Sequence, residues 1–418
     1  MKILRIVMSW GLLFLAAAGL QAQTAEIFRG QVQEIVRKTR LKIGPVRIYP
    51  VLKFSHLSWV SNIFGYSNTL AQMSDLVITP SPELKANIVF RNMLILSFTE
   101  NPEYHFYLKN PGYRGFTNSY NAEARALLFN RAIISGRYEN LTNRYLGYQE
   151  LDRVIEYTNE SYSAQMLSQS SRGTSLRIEA RFSRLSYEDV LTESGQISPR
   201  LNREEKSGYT EFGYRIFSAT HVFLRGTYSE YDFLRQESDW RTSRAIEVTA
   251  GLQFPGTSVI RGSFAMGFKK FIPKESGVKG FAGLIGNASL QFRLENFGVL
   301  QLGFNRNNNF SLTREFLYYF ENSVNGRLTF RLAGSLYIRL GGQYGQYEYP
   351  EEAAEVSDPD GTSGSFRDDY IQLSGGFVIR FTPTFGIGLS YQTWLRDSRL
   401  FGGNYRGNLV TIDIVQSF

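Results

Sequence analysis

Hydrophobic and polar residues alternate with a period of two along most of the chain after Pro45. The alternation is clearest in residues 174–183, 245–254, 288–294 and 314–332. Successive side chains of a β-strand point to opposite faces, so each stretch predicts a strand with one apolar and one polar face. Residues 314–332 would extend roughly 60 Å, whereas ordinary strands reach ~17–20 Å. Strands this long disfavour a soluble sandwich or propeller and favour a barrel that crosses a membrane.

Short turns and longer polar connections separate these segments in almost regular alternation, as in outer-membrane barrels with short periplasmic turns and longer extracellular loops. The sequence therefore predicts an all-β fold: a transmembrane antiparallel β-barrel of about eighteen strands, with 16–18 plausible. Residues 157–170 have a poor pattern, and Pro80 and Pro82 require a bulge or a local opening in the second strand. The expected strands are 46–59, 74–89, 93–108, 119–130, 132–142, 157–170, 174–187, 205–217, 219–231, 241–254, 257–271, 278–293, 297–307, 314–332, 335–348, 366–381, 384–396 and 405–418.

Composition agrees with one large β structure. The chain has 38 Gly, 25 Tyr and 32 Phe, and its mean hydropathy of −0.24 excludes a bundle of membrane helices. The absence of Cys excludes disulfides, thiolate metal sites and cysteine nucleophiles. Basic and acidic residues are interspersed despite the net charge of +8, so we expect no nucleic-acid partner.

Residues 1–22 have the layout of a signal peptide. Lys2 and Arg5 precede an apolar run from Ile6 to Leu20, and Ala22 ends a small-residue cleavage site. Residues 23–44 are polar and mildly helical, which predicts a short periplasmic segment; a disordered segment is an equal alternative. The barrel would then occupy residues 45–418.

The last strand resembles the carboxy-terminal assembly signal of bacterial outer-membrane barrels. Val410, Ile412, Ile414 and Phe418 share one face, although Gln416 stands where that signal usually has an aromatic residue. The resemblance implies insertion by the barrel assembly machinery into the bacterial outer membrane. Outer-membrane lipid and lipopolysaccharide would surround the protein, and both termini would lie in the periplasm.

The polar strand faces would line the lumen, and basic residues outnumber acidic ones on them. Such a lining favours anions in a channel as wide as 16–18 strands allow. The alternative is that Arg and Glu pair across strands and stiffen the wall. Inward aromatic residues such as Trp59 and Trp394 could stack on sugars or belong to the interfacial belt. The proposed lumen-facing basic residues are Arg177, Arg181, Arg225, Arg261, Arg293, Arg327, Arg331, Arg339 and Arg380.

Catalytic and metal-binding signals are weak. The three His residues form no paired metal motif, and no Gly-x-Ser-x-Gly sequence occurs. The acidic stretch Asp358–Gly361 lacks the spaced ligands of a calcium loop. We therefore expect no catalytic residues, no metal and no cofactor, and the chain is predicted not to be an enzyme.

The first strands resemble a known group of families. Residues 44–64 contain an early proline at Pro50 and the pair Asn62-Ile63, and Thr79-Pro80 follows in the second strand. These features are similar to outer-membrane barrel families often encoded beside exopolysaccharide genes. The resemblance implies a porin-like conduit or a polysaccharide exporter. A plugged structural or adhesion barrel remains an alternative, and a lipid-modifying outer-membrane enzyme is a third.

Overall fold

The computed structural model describes residues 23–39, 41–62, 73–145, 155–189, 201–217, 220–254, 259–276, 278–295, 297–311, 316–349, 366–382, 385–398 and 403–417. One helix, α1 (Gln23–Lys38), precedes the strands. The strands are β1 (Leu41–Ile43), β2 (Val46–Val60), β3 (Asp75–Pro80), β4 (Glu83–Phe90), β5 (Leu94–Tyr107), β6 (Gly115–Leu128), β7 (Ala132–Tyr145), β8 (Ile155–Gln169), β9 (Thr174–Asp189), β10 (Arg203–Phe217), β11 (Thr220–Phe233), β12 (Ser243–Phe254), β13 (Ile260–Pro273), β14 (Phe281–Leu294), β15 (Gly298–Phe310), β16 (Tyr318–Ala333), β17 (Leu336–Tyr349), β18 (Phe366–Arg380), β19 (Phe385–Ser398) and β20 (Gly403–Ser417).

The strands form one closed antiparallel barrel. Each strand pairs with its sequence neighbour, and β20 pairs with both β19 and β2, which closes the sheet. β1 is a three-residue arm that pairs only with β2, and β3 and β4 are two parts of one strand position. The barrel therefore has eighteen strands, as the alternation predicts. The weakly patterned residues 157–170 are also a strand, because β8 pairs with both β7 and β9.

The second strand opens where its prolines lie. β3 ends at Pro80 and β4 begins at Glu83, so Ser81 and Pro82 interrupt the ladder. Proline cannot donate a backbone hydrogen bond, which explains the local opening. The buried Ser81 Oγ instead donates to Glu103 Oε1 at 2.7 Å. The predicted single strand 74–89 is thus two segments.

A register shift in β2 corrects one predicted orientation. Between Lys53 and Ser58 the pairing with β20 slips, as a β-bulge does, so the alternation reverses beyond it. Ser58 then faces Thr411 inside, with 2.9 Å between their hydroxyl oxygens. Trp59 points outward and is 43% exposed, so its predicted inward orientation is wrong.

The two faces of the barrel differ as the alternation predicts. Large apolar side chains are exposed on the outer face, for example Leu224, Val248, Leu284 and Val324. Polar and charged side chains occupy the inner face. Among the described residues, no helix has the length and hydropathy needed to span a bilayer. The outer face is the surface that hydrocarbon would cover.

Within the closed barrel, the short turns that the structure describes completely join β4 to β5, β6 to β7, β8 to β9 and β16 to β17, and they lie at one end of the barrel, called here the short-turn end. In two of them, Arg91-Asn92 and Phe129-Asn130, both central residues have positive φ of 43° to 56°. This is the type I′ geometry that suits the twist of a two-residue hairpin. The strands are joined by longer connections at their other ends, among them the described residues 108–114 and 234–242, and we call this the long-loop end. The strand bounds therefore agree with the predicted alternation of short and long connections.

Candidate functional site

Helix α1 lies inside the barrel against the wall at the short-turn end. Ala25, Phe28 and Val32 repeat at helical spacing, and Phe28 is fully buried. They pack on an apolar patch of the inner wall that consists of Ile95, Leu127 and Ile133, with Val89 and Leu167 at its edge. The helix therefore covers the inner face of β5–β8.

Polar contacts fix the same helix. Thr24 Oγ1 donates to the Gln169 carbonyl at 2.9 Å and accepts from the Gln169 amide at 2.8 Å. Arg125 Nη1 donates to Gln31 Oε1 at 3.4 Å. Sequence reasoning predicted the helical character of residues 23–44 but not their position. The helical spacing of Ala25, Phe28 and Val32 was the sequence feature that could have indicated an apolar helix face packed against the barrel.

Two long-loop segments meet across the opposite mouth. Arg241 Nη1 donates to the Ser311 carbonyl at 2.7 Å, and Nη2 donates to the Phe316 carbonyl at 3.1 Å. Arg241 is 3% exposed and Phe316 is fully buried. We call the contact of Arg241 with Ser311 and Phe316 the clasp. It narrows the lumen at the long-loop end.

The β15–β16 hairpin bends inward to reach the clasp. The Phe310 ring lies 5.0, 5.2 and 5.6 Å from the rings of Tyr231, Phe233 and Phe271, which belong to β11 and β13. The ladder neighbours of β15 are β14 and β16, so these contacts cross the barrel mouth. The Arg203 guanidinium also lies 4.9 Å from the Phe310 ring centroid. The strand alternation alone would place Phe310 outside.

Aromatic residues also narrow the mouth beside β16–β19. Tyr319, Tyr347, Tyr349 and Phe316 form a buried cluster with Tyr370. At the level of this cluster, the buried Asp368 and Arg396 form an ion pair between the neighbouring strands β18 and β19. The acidic loop around Asp358–Gly361 lies outside the described residues.

The inner wall of β6–β11 is dominated by ion pairs. Glu211 binds both Arg225 and Arg177, whose Nη1 lies 3.4 Å from Glu211 Oε1. Arg181 Nη2 lies 3.7 Å from Glu139 Oε2. The predicted lumen-facing residues Arg177, Arg181 and Arg225 therefore form ion pairs across strands, which was the alternative to a lining that favours anions.

The inner wall of β13–β18 has a different character. β13, β14 and β15 contain no acidic residue. Among the described residues, none of the basic residues on this wall has an ion-pair partner within 4 Å. Arg331 donates to the Gly334 carbonyl at 2.6 Å, and Arg380 lies 5.0 Å above the Tyr337 ring. Six predicted lumen-facing arginines are exposed on the inner face of this wall: Arg261, Arg293, Arg327, Arg331, Arg339 and Arg380.

Carboxamides share this wall with the arginines. Gln291 and Gln301 lie in register between Arg261 on β13 and Arg327 on β16. Residues of β13–β18 line a cavity of about 860 Å³ that includes Asn325 and Gln343. The described lumen wall therefore differs between its two sides: ion pairs neutralise the charges on β6–β11, whereas arginines without an ion-pair partner and carboxamides lie on β13–β18.

The predicted assembly residues lie on the last strand. Val410 pairs with Tyr391 and Ile412 pairs with Leu389, and these partners are exposed on the outer face. Ile414 follows with the same orientation, and Phe418 lies outside the described residues.

The His and acidic side chains of the described residues form no group that could hold a metal ion. His105 is buried, and its ring nitrogens lie 3.1 Å from Thr117 Oγ1 and 3.4 Å from Thr79 Oγ1. Ser81 Oγ donates to Glu103 Oε1, and Glu103 Oε2 lies 3.9 Å from His105 Nε2.

Comparisons with known proteins agree with this architecture. OccK3 (OpdO) of Pseudomonas aeruginosa has 11% identity and a TM-score of 0.51, covering 93% of this chain and 99% of its own. OpdK of the same organism, solved with vanillate, has 10% identity and a TM-score of 0.51, covering 89% and 99%. OccAB2 of Acinetobacter baumannii has 11% identity and a TM-score of 0.50, covering 90% and 99%. At these identities the likeness concerns the fold.

A search of curated proteins finds no match. The family model described as "Putative beta-barrel porin 2" matches residues 123–418, which is more than half of the chain. The chain therefore belongs to this β-barrel porin family and is a porin-like outer-membrane barrel.

Proposed function

We propose that the protein is an outer-membrane channel that passes hydrophilic solutes and favours anions, including acidic polysaccharide. The supporting observation is the uncompensated basic wall of β13–β18, where Arg261, Arg293, Arg327 and Arg339 have no described acidic partner. A water-filled lumen lowers the cost of dehydrating a solute, and fixed positive charge attracts anions. The mechanism is passive.

The proposed orientation places the short-turn end and both termini in the periplasm. It follows from the export route implied by residues 1–22, and α1 would then lie at the periplasmic mouth. The barrel assembly machinery and outer-membrane lipids, including lipopolysaccharide, are the proposed partners. The exopolysaccharide cargo is supported by the resemblance of the first strands to families encoded beside polysaccharide genes.

A second candidate is a barrel whose lumen is closed and whose loops carry the function. The clasp favours it, because Arg241 holds two loop segments together across the mouth. The two functions differ in whether the purified protein conducts ions.

The double substitution Arg261→Gln and Arg327→Gln tests the basic wall. We expect it to reduce the anion-to-cation permeability ratio by roughly twofold or more, because two unpaired charges leave the channel lining. The measurement is the reversal potential across a planar bilayer under a KCl gradient.

Arg244→Gln is the control for each of the two single substitutions, because it removes one positive charge from an exposed, outward position of β12. It should leave the reversal potential unchanged. A shift as large in Arg244→Gln as in the single substitutions would show that the wall of β13–β18 does not determine selectivity.

A further inference from the structure

A row of carboxamides crosses the inner face of β16–β18 and ends at an indole. Asn325 pairs with Gln343, Gln343 pairs with Gln372, and Gln372 pairs with Trp394 on β19. Neighbouring strands lie about 4.8 Å apart, so the four side chains span roughly 14 Å. We call these four residues the amide strip.

The indole of Trp394 lies along the wall. Its partner on β20 is Gly407, and a Cβ at that position would overlap the indole ring. One part of the ring packs near Val60 and Tyr107, and the side chain as a whole is half-buried. The glycine therefore lets a flat apolar surface form part of the lumen wall.

A row of two arginines and two glutamines adjoins the amide strip. Arg327 is two residues from Asn325 on the same face of β16, a separation of about 7 Å. Across the sheet, Gln301 and Gln291 connect Arg327 to Arg261. Residues of both rows line the cavity of about 860 Å³.

This combination matches one class of ligand better than others. A carboxamide both donates and accepts hydrogen bonds, as neighbouring sugar hydroxyls do. A guanidinium binds a carboxylate through two parallel hydrogen bonds. An aromatic ring offers its face to the apolar C–H surface of a sugar ring. A wall that only admits water and small ions would need neither the planar amides nor the indole.

We infer that the amide strip, together with Arg261 and Arg327, is a binding subsite for oligosaccharides that contain uronic-acid units. The hydroxyls bind the carboxamides, the carboxylates bind the two arginines, and one ring stacks on Trp394. The inference rests on the proposed channel function and adds the ligand class and its location.

Three probes separate the contributions, two of them trisaccharides and the third a small tricarboxylate. Trigalacturonate carries hydroxyls and three carboxylates, maltotriose carries hydroxyls alone, and propane-1,2,3-tricarboxylate carries carboxylates without a sugar. Isothermal titration calorimetry of the full-length protein in detergent micelles should show the tightest binding for trigalacturonate. The same solute should block single-channel current at the lowest concentration.

Trp394→Ala should weaken trigalacturonate binding about five- to tenfold, the range expected for one aromatic contact. The control Trp59→Ala removes the outward indole of β2 and should change nothing. If Trp394→Ala does not fold, the double variant Asn325→Ala and Gln372→Ala should show a comparable loss.

The outcomes separate this inference from the channel proposal. Tight trigalacturonate binding without ionic current would overturn the open channel but support the subsite. Ionic current with equal binding of the three probes would overturn the subsite. Undiminished trigalacturonate binding by Trp394→Ala would also overturn it.

Discussion

Arg241→Ala is expected to open the long-loop mouth and to raise the single-channel conductance severalfold. The guanidinium is almost completely buried and holds the carbonyl groups of Ser311 and Phe316. Hydrogen bonds to a charged group contribute about 1.5–3 kcal/mol each. Without them, Ser311 and Phe316 lose these hydrogen bonds to residue 241, and packing of Trp240 on the cluster of Leu317 and Tyr318 is the contact that remains. The β15–β16 hairpin can then move away from the mouth.

Arg235→Ala is the matched control. It removes an exposed arginine from the same segment and should leave the conductance unchanged. Hydrogen–deuterium exchange of residues 311–317 gives an independent readout, and faster exchange is expected only in Arg241→Ala. Unchanged conductance together with unchanged exchange would show that the clasp does not close the mouth.

Val324→Arg is expected to destabilise the barrel by about 2–4 kcal/mol, because it places a charge on the lipid-facing surface near the middle of β16. The neighbouring substitution Asn325→Arg introduces the same side chain on the inner face, where water solvates it. Both positions are exposed in the isolated barrel, so packing losses are small in each case.

The measurement is the free energy of unfolding in guanidinium chloride with the protein folded into lipid vesicles. Asn325→Arg should cost less than about 1 kcal/mol, as is usual for exposed positions. Similar losses for the two variants would contradict the assignment of the even positions of β16 to lipid.

The strand pattern could be predicted because one physical requirement acts on every strand. Apolar surroundings outside and polar surroundings inside impose a period of two, and the turns divide the chain into eighteen strands. The prolines at 80 and 82 predicted a bulge or a local opening in the second strand, and the structure has the opening. The bulge in β2 could not be predicted, because its register depends on pairing with β20 and β3, and Trp59 was therefore misplaced.

The pairing of charges could be anticipated only in part. Arg177, Glu211 and Arg225 lie directly opposite one another on three consecutive strands, so correct registers would reveal the triad. The contrast with β13–β15 is visible in the sequence as three strands without an acidic residue.

The features that occupy the two ends of the lumen could not be predicted from the sequence. Phe310 occupies an outward position of its strand, yet it contacts Tyr231 and Phe271 because the hairpin leaves its neighbour β14. Helix α1 docks on Ile95, Leu127 and Ile133, three apolar residues at inner positions of separate strands. Both features depend on tertiary contacts that a period of two does not encode.

Single-channel recording of the purified wild-type protein in a planar bilayer tests the central claim most directly. We predict a steady conductance with a reversal potential that shows preference for chloride over potassium. A silent bilayer with confirmed insertion, or a cation-selective current, would contradict an anion-favouring channel.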